Sequence, residues 1–304
     1  MVFLFTLLCT GCRHGSAGSS SPGASEPVSR PAGPLGLDEA RKYVLALVNR
    51  DRAAQGLDPV ELDDVANRAG QRHAEDMSEH GYTAHWGSDG SVPEQRYTEA
   101  GGKDMVQENA ACFFDGQKRK LDPAPRFDPV ALEKIESAFI NETPPNDGHK
   151  KNILKGTHNK LGVGLAKPEG IDQPCMSQEF VDHYGDYEAL PKRVHVGQSV
   201  HVAGTLDKPV DFGGIGIARI ALVKPMSAAK LNSTSLYTVP EPFALYFPAG
   251  YKTPKPVQVS GRSFKIDVPL DDRRQPGRYE VSVWGRYPGD DALVIVSLRT
   301  VTVK

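Results

Sequence analysis

The chain lacks an excess of charge of one sign and lacks a long apolar segment. It has 36 Lys and Arg residues against 38 Asp and Glu, which gives a formal charge of −2 over 304 residues. Because no strong basic field results, general binding to nucleic acid is not expected. The apolar run at residues 1–12 is too short to span a bilayer as a helix.

Several motifs of well-known enzyme families are also missing. The sequence contains no Gly-x-Ser-x-Gly, no His-Glu-x-x-His and no phosphate-binding glycine-rich loop. Neither Cys112 nor Cys175 has a base near it in sequence, so an activated nucleophile is not evident. No motif therefore assigns the chain to one of these enzyme classes.

Length and turn residues favour two domains that are not purely helical. About 150 residues per domain is a soft prior, so 304 residues leave room for two cores, and a disulfide miniprotein is excluded. The 24 prolines and 30 glycines exceed the average share and indicate turn-rich β structure beside any helices.

The amino terminus has the character of an export signal. The apolar residues 1–12 end in Cys9-Thr10-Gly11-Cys12, and this ending resembles a bacterial lipobox, in which Cys12 would carry the lipid anchor to a membrane. An ordinary secretory signal cut nearby is the alternative. Residues 13–36 are rich in Ser, Gly and Pro, and we expect a flexible tether there.

Two cysteines remain beyond the export segment. Cys112 and Cys175 form an even pair, and export would place them in an oxidising compartment where a disulfide is allowed. Two buried thiols are the alternative at this point.

The pattern of residues 37–190 predicts a mixed α/β sandwich. Apolar spacing and capping residues predict helices over 39–55, 64–80, 93–100 and 129–143, with a short one that Asn146 caps and that runs through Leu154. Strands are predicted at 105–111, 160–167 and 174–181. Glu142 continues the apolar stripe of the helix that begins after Asp128, so we expect its carboxylate to enter a cleft or the interior.

Residues 191–304 predict an all-β domain. Five or more β-branched segments alternate with Gly, Pro and Asp turns, and no helix is indicated. This pattern is typical of an immunoglobulin-like sandwich. We see no catalytic constellation in it, and spacing, adhesion or packing are the roles that we expect.

Two imidazoles and two carboxylates stand out between residues 82 and 149. They are His85 in a glycine-rich loop, Glu108 on an apolar strand, Glu142, and His149 after a turn. Such a set suits Zn²⁺ or another borderline divalent ion, and it also suits acid/base work.

Four ordered segments resemble the CAP superfamily, which comprises cysteine-rich secretory, antigen 5 and pathogenesis-related proteins, in its bacterial SCP-like form. They are Ala84 to Gly90, Gln107 to Ala110, Phe139 to Glu142, and Gly148 to Leu154. The resemblance implies a three-layer α-β-α sandwich over residues 37–190. It also implies a cleft in which His85, Glu108, Glu142 and His149 hold a divalent cation, with Zn²⁺ expected first and a site without metal left open.

The resemblance further implies supporting side chains in the cleft. Asn109 follows Glu108 in the family motif, and Gln178 lies on a closing strand. A contact between Gln178 and a ligand, and a buried hydrogen-bond network, are both open.

The function expected from the resemblance is non-enzymatic binding of a lipid, a metal or a protein ligand. A metal-dependent hydrolase with Glu142 or Glu108 as general base is one alternative. A structural envelope or adhesion protein that acts through residues 191–304 is another.

Overall fold

The computed structural model describes residues 28–234 and 237–304. The predicted export segment with Cys12, and the greater part of the predicted tether, lie outside these residues. Within the described ranges, no helix is both long enough and apolar enough to cross a membrane.

Five of the six helices in the described residues form where capping residues and apolar spacing predict them, and the exception is the last. The helices are α1 (Leu37–Ala53), α2 (Asp64–His80), α3 (Pro93–Glu99), α4 (Pro129–Ile140), α5 (Gly148–Ile153) and α6 (Ala228–Leu231). Asp63 caps α2 by accepting a hydrogen bond from the Ala66 amide at 2.6 Å, and Gly81 ends it in the left-handed conformation. Asp128 caps α4 through the Val130 amide.

The strands fall into three sheets. The strands are β1 (Glu61–Leu62), β2 (Met105–Ala111), β3 (Lys160–Ala166), β4 (Cys175–Asp182), β5 (Gly185–Tyr187), β6 (Arg193–Val194), β7 (Ser199–Leu206), β8 (Asp211–Ile220), β9 (Ala244–Tyr246), β10 (Gln258–Ser260), β11 (Ser263–Pro269), β12 (Gly277–Arg286) and β13 (Val294–Val303).

The first region, residues 28–182, is a mixed α/β sandwich, as predicted. Its sheet has the order β1-β3-β4-β2, in which β1 pairs with β3 in parallel and the other pairs are antiparallel. Helices α1, α4 and α5 contribute to one core against the sheet. Helices α2 and α3 pack on the opposite face with Val106 and Val181.

Strand β3 shows how the sequence builds these layers. Leu161, Val163 and Leu165 point into the core under α1, whereas the alternate glycines face α2. A Cβ atom added at Gly164 would lie 2.1 Å from the backbone of Gly70. Glycine is therefore required for the helix to approach the sheet this closely.

The end of the predicted tether is fixed to the first region. Leu35 and Phe127 exchange backbone hydrogen bonds of 2.8 and 2.9 Å, and Leu35 is buried in the core. Arg30 forms an ion pair with Glu133. The expectation of a flexible tether up to residue 36 is therefore wrong for residues 30–36, because Leu35 supplies apolar area that offsets the cost of ordering.

The second region, residues 185–304, consists of two facing sheets that share one core. Their strand orders are β10-β11-β7-β5 and β6-β13-β12-β8-β9. Alternation along β11 places Phe264, Ile266 and Val268 inside. The assignment of this region to the immunoglobulin-like class stays a prediction.

The boundary between the regions differs from the sequence expectation in two ways. Strand β5 pairs with β7, so the second region begins before the predicted start at residue 191. Strand β8 ends at Ile220, and the chain then leaves the sheet and returns to the first region, carrying helix α6, which the sequence did not predict. We call residues 221–234 and 237–243 the crossing segment.

Candidate functional site

A cavity of about 510 Å³ lies beside strand β2, helix α5 and the crossing segment. The four side chains singled out as candidate ligands line this one cavity, and they are His85, Glu108, Glu142 and His149. Residues that are far apart in sequence are thus brought together at one open surface, as the sequence analysis required of a shared site.

His85 is held by Glu108 at the floor of the cavity. Its Nδ1 lies 2.9 Å from Oε1 of Glu108. The imidazole side chain is 30% exposed, whereas the carboxylate is completely buried. Because an ionised carboxylate only accepts hydrogen bonds, Nδ1 carries the proton and Nε2 keeps a lone pair.

Arg96 neutralises the buried carboxylate from behind. Its Nη2 donates to Oε2 of Glu108 at 2.6 Å and to the backbone oxygen of His85 at 3.1 Å. Burial alone would raise the pKa of Glu108, but the positive charge of Arg96 and the hydrogen bond from His85 hold that pKa well below its ordinary value. Glu108 is therefore ionised at neutral pH. The sequence analysis did not single out Arg96, although a carboxylate on an apolar strand requires such a cation.

A second buried carboxyl lies next to Glu108. The Oγ atom of Ser177 is 2.9 Å from Oε1 of Glu179 and 3.3 Å from Oε2 of Glu108. Burial, followed by the negative charge of Glu108, raises the pKa of Glu179 well above its ordinary value. Glu108 and Glu179 together therefore carry one negative charge, because Glu179 keeps its proton. The positive charge of Arg96 balances that single negative charge.

His73 lies in the same buried cluster and is a core residue. It is inaccessible to solvent, and its Nε2 donates to the backbone oxygen of Ala84 at 2.7 Å. Burial and the charge of Arg96 lower its pKa to about 4, so the ring is neutral at physiological pH. Its Nε2 is 3.5 Å from Glu108, but a neutral ring forms no ion pair there.

Glu142 holds His149 on the opposite side of the cavity. Its Oε1 is 2.5 Å from Nδ1 of His149, and its Oε2 accepts the amide hydrogen of the same residue at 2.9 Å. The ring of Phe139 packs on the imidazole with 4.5 Å between centroids. The ring of His149 is thus fixed in orientation, and its Nε2, like that of His85, keeps the lone pair.

The reasoning that singled out Glu142 is corrected by the structure. Helix α4 ends at Ile140, so Glu142 lies in the following turn and not on the helical stripe. The buried carboxyl of that helix is Glu136, which is fully inaccessible and accepts a hydrogen bond from Gln178 at 2.5 Å. The buried stripe of this helix carries Leu132, Glu136 and Phe139, which are spaced by four and three residues.

Asn109 and Gln178 form a hydrogen-bond network that supports the backbone of His149. The Nδ2 atom of Asn109 donates to the backbone oxygen of His149 and to Oε1 of Gln178, each at 3.1 Å. Asn152 donates to Oδ1 of Asn109 at 2.9 Å. Gln178 is completely buried and does not line the cavity. Of the two possibilities left open for Gln178, the geometry favours the buried network.

Comparison with known proteins identifies the family of this segment. Residues 45–181 match the family model of CAP, the cysteine-rich secretory protein family. These residues form a CAP domain. The chain is 25% identical to the uncharacterized protein YkwD of Bacillus subtilis (strain 168) over 165 residues. This matched region makes up 54% of this chain and 55% of that protein. The chain thus matches about half the length of this curated relative.

Two solved structures are also similar over half of the chain. One is an extracellular protein containing an SCP domain from Bacillus anthracis str. Ames, with 22% identity and a TM-score of 0.35, over 49% of this chain and 45% of that one. The other is an outer surface protein from Borrelia burgdorferi, with 17% identity and a TM-score of 0.38, over 49% of this chain and 97% of that one.

One wall of the cavity comes from outside the CAP domain. Tyr237 and Val239 of the crossing segment line it together with Pro93 and Glu94 of α3. Sequence analysis did not predict this contribution, because no local pattern indicates where a long connection of one region packs on another.

Cys112 and Cys175 are joined by a disulfide. Ala111 of β2 pairs with Met176 of β4, so the two cysteines stand opposite each other at the next position of the ladder, with 4.2 Å between their Cα atoms. The link fastens the end of the strand that carries Glu108 and Asn109.

The cavity residues form two imidazole–carboxylate pairs. Among residues 28–234 and 237–304, no group of three His, Cys, Asp or Glu side chains is arranged to hold a metal ion. Each carboxylate contacts the Nδ1 atom of its own ring, so Glu108 and Glu142 lie behind the imidazoles in this arrangement. The assignment of all four residues as direct metal ligands stays a prediction.

Proposed function

We propose that this CAP domain is an exported binding domain without catalytic activity, and that its cleft takes a divalent cation on the Nε2 atoms of His85 and His149. The observation that carries the proposal is the pairing of each ring with a carboxylate at Nδ1. A metal-binding histidine commonly has this partner, which fixes the tautomer and increases the basicity of the ligating nitrogen.

The donor chemistry fits a weakly held and exchangeable ion. Two imidazoles suit Zn²⁺, whose catalytic sites generally have three protein ligands and whose structural sites have four. A site with two imidazoles therefore leaves coordination positions for water or for a donor atom of a bound lipid or protein. Glu108 and Glu142 would then balance charge from behind the rings.

The hydrolase alternative gains no support from the two proposed bases. Both oxygens of Glu108 are engaged, with His85 on one side and Arg96 on the other, and its low pKa makes it a poor proton acceptor. Glu142 uses both oxygens on His149. Neither carboxylate is free to activate a water molecule without giving up its imidazole.

Export is supported by the Cys112–Cys175 disulfide, since such bonds persist in oxidising compartments. A lipid anchor at Cys12 would add attachment to a membrane, and it remains part of the proposal. The second region, as an immunoglobulin-like sandwich, would space the CAP domain from the surface or bind a neighbouring component.

Calorimetric titration of the full chain with Zn²⁺ alone tests the proposal. We expect binding at pH 7.5 that is lost in His85→Ala and in His149→Ala, and that weakens in mildly acidic buffer because the ligating nitrogens must be deprotonated. His201→Ala is the matched control, because His201 forms an exposed pair with Asp267 outside the cavity. Absence of binding to the unmodified chain, or equal binding by all three variants, would overturn the proposal.

A further inference from the structure

Tyr237 lines the same two cavities as both imidazoles of the cleft. It lines the cavity of about 510 Å³ that contains His85 and His149. It also lines a smaller cavity of about 140 Å³ that the same two histidines and Trp86 enclose. A side chain of the crossing segment thus lines both cavities that contain the proposed cation ligands.

The crossing segment is anchored on the CAP domain ahead of Tyr237. The amide of Met226 donates to the backbone oxygen of Ser88 at 2.8 Å. Oδ1 of Asn232 accepts the amide hydrogen of Thr83 at 3.0 Å. Leu231 is completely buried in an apolar cluster with residues of α2 and the following loop. These contacts join the segment to the loop that carries His85.

Tyr237 itself is held at both ends of its side chain. Its ring packs edge-on against Trp86, with 5.4 Å between centroids and an interplanar angle of 89°. Its hydroxyl donates to Oε1 of Glu94, which is 1% exposed and also lines the larger cavity. Burial and then the charge of Glu94 raise the pKa of Tyr237, so the hydroxyl keeps its proton and acts as the donor.

Glu280 of the second region lies close enough to Glu94 for the two carboxyl groups to influence each other. Burial and then the charge of Glu94 raise the pKa of Glu280 to about 9, and Arg278 opposes this shift. Glu280 is therefore neutral at physiological pH. Arg278 also donates to Oε1 of Gln95 at 2.9 Å, which joins β12 directly to α3.

Further hydrogen bonds hold the second region against the CAP domain. The hydroxyl of Ser297 donates to the backbone oxygen of Lys103 at 2.5 Å, and the amide of Thr300 donates to Oγ1 of Thr98 at 3.2 Å. The wall that contains Tyr237 is therefore backed by a contact between the two regions.

We infer that the cleft is a composite of both regions, and that Tyr237 is a specificity-determining residue that restricts which molecules reach the imidazoles of His85 and His149. The inference extends the proposed function, because it concerns access to the proposed cation ligands. The test of this inference does not depend on metal binding. The proposed cation site and the role of Tyr237 in access can therefore be disproved independently of each other.

The test measures carbethoxylation of each histidine in the metal-free full chain by diethyl pyrocarbonate, with peptide mass spectrometry as the readout. We expect Tyr237→Ala to increase the rates at His85 and His149 several-fold. Tyr237→Phe keeps the ring and should stay close to the unmodified chain. Tyr237→Leu tests the same wall with a smaller change, should the alanine variant not fold.

Internal controls distinguish local access from general loosening. His73 and His158 are buried, at 0% and 2% exposure, and should stay unmodified, while the rate at the exposed His201 should not change. Tyr251→Ala, which removes a 66% exposed tyrosine of the second region, should have no effect at any of these sites. Unchanged rates at His85 and His149 in both Tyr237→Ala and Tyr237→Leu, or a parallel rise at His73 and His158, would overturn the inference.

Discussion

Arg96 and Glu108 form a buried ion pair, with 2.6 Å between Nη2 and Oε2, and the two side chains are 1% and 0% exposed. The carboxylate oxygen that is left, Oε1, orients the ring of His85. The negative charge of the carboxylate that orients His85 is therefore stabilised by Arg96 of helix α3.

Replacing this arginine should be costly to stability. Arg96→Met leaves the charge of Glu108 buried without a partner, and we expect the free energy of unfolding to fall by about 3–5 kcal/mol. Urea unfolding at pH 7 measures the change. Glu108→Gln added to Arg96→Met should recover part of the loss, because it removes the unpaired charge.

Arg72→Met is the matched control for this prediction. Arg72 pairs with Asp89 and Glu99 at the surface, and its side chain is 45% exposed. Exposed pairs of this kind contribute less than about 1 kcal/mol. If the two arginine variants lose equal stability, the buried pair does not have the role assigned to it.

The buried carboxyl of Glu136 should make stability fall as pH rises. Burial raises its pKa from 4.5 to about 8, against the hydrogen bond from Gln178. Between these values the folded chain keeps a proton that the unfolded chain has released, so a rise in pH favours unfolding. We expect Glu136→Gln to equal the parent chain in stability near pH 4 and to exceed it increasingly up to pH 8. Melting temperatures across this range measure the difference, and parallel curves would contradict the raised pKa.

The fold of the CAP domain could be predicted where local chemistry decides it. Asp63 and Gly81 mark the ends of α2, and Asp128 marks the start of α4, because caps act on the backbone groups next to them. The four candidate residues of the cleft were found from their order in family-like segments, and they line one cavity.

The remaining features depend on contacts that no local pattern records. Arg96 and Tyr237 reach the site from a neighbouring helix and from the other region. Glu136 is buried on α4 because Gln178 of β4 supplies a partner, and the sequence gives no indication of that pairing. Strand β5 joins the second region through a ladder with β7, which a three-residue segment cannot specify alone.

The close approach of α2 to the sheet gives a prediction about glycine. Gly164→Ala would place a methyl group 2.1 Å from the backbone of Gly70, and neither backbone can move without disturbing a buried layer. We expect a loss of about 1–3 kcal/mol or more in the free energy of unfolding. Gly33→Ala is the control, since an added Cβ atom there meets nothing within 4 Å. Denaturant titrations that find equal stability for the two variants would show that α2 and the sheet can move apart without a loss of stability.

The carboxylate behind His149 should tune the affinity of the proposed cation site. Glu142→Gln keeps the size of the side chain but weakens the hydrogen bond to Nδ1, which makes Nε2 a poorer donor to Zn²⁺. Loss of such a partner lowers metal affinity by about 10–100-fold.

Calorimetric titration with Zn²⁺ compares this variant with Asp267→Asn, which alters the exposed His201–Asp267 pair of the same kind outside the cavity. A large loss of affinity in Glu142→Gln with none in Asp267→Asn is expected, because only His149 faces the cleft. Equal affinities in the two variants would mean that the carboxylate does not act on the ligating nitrogen.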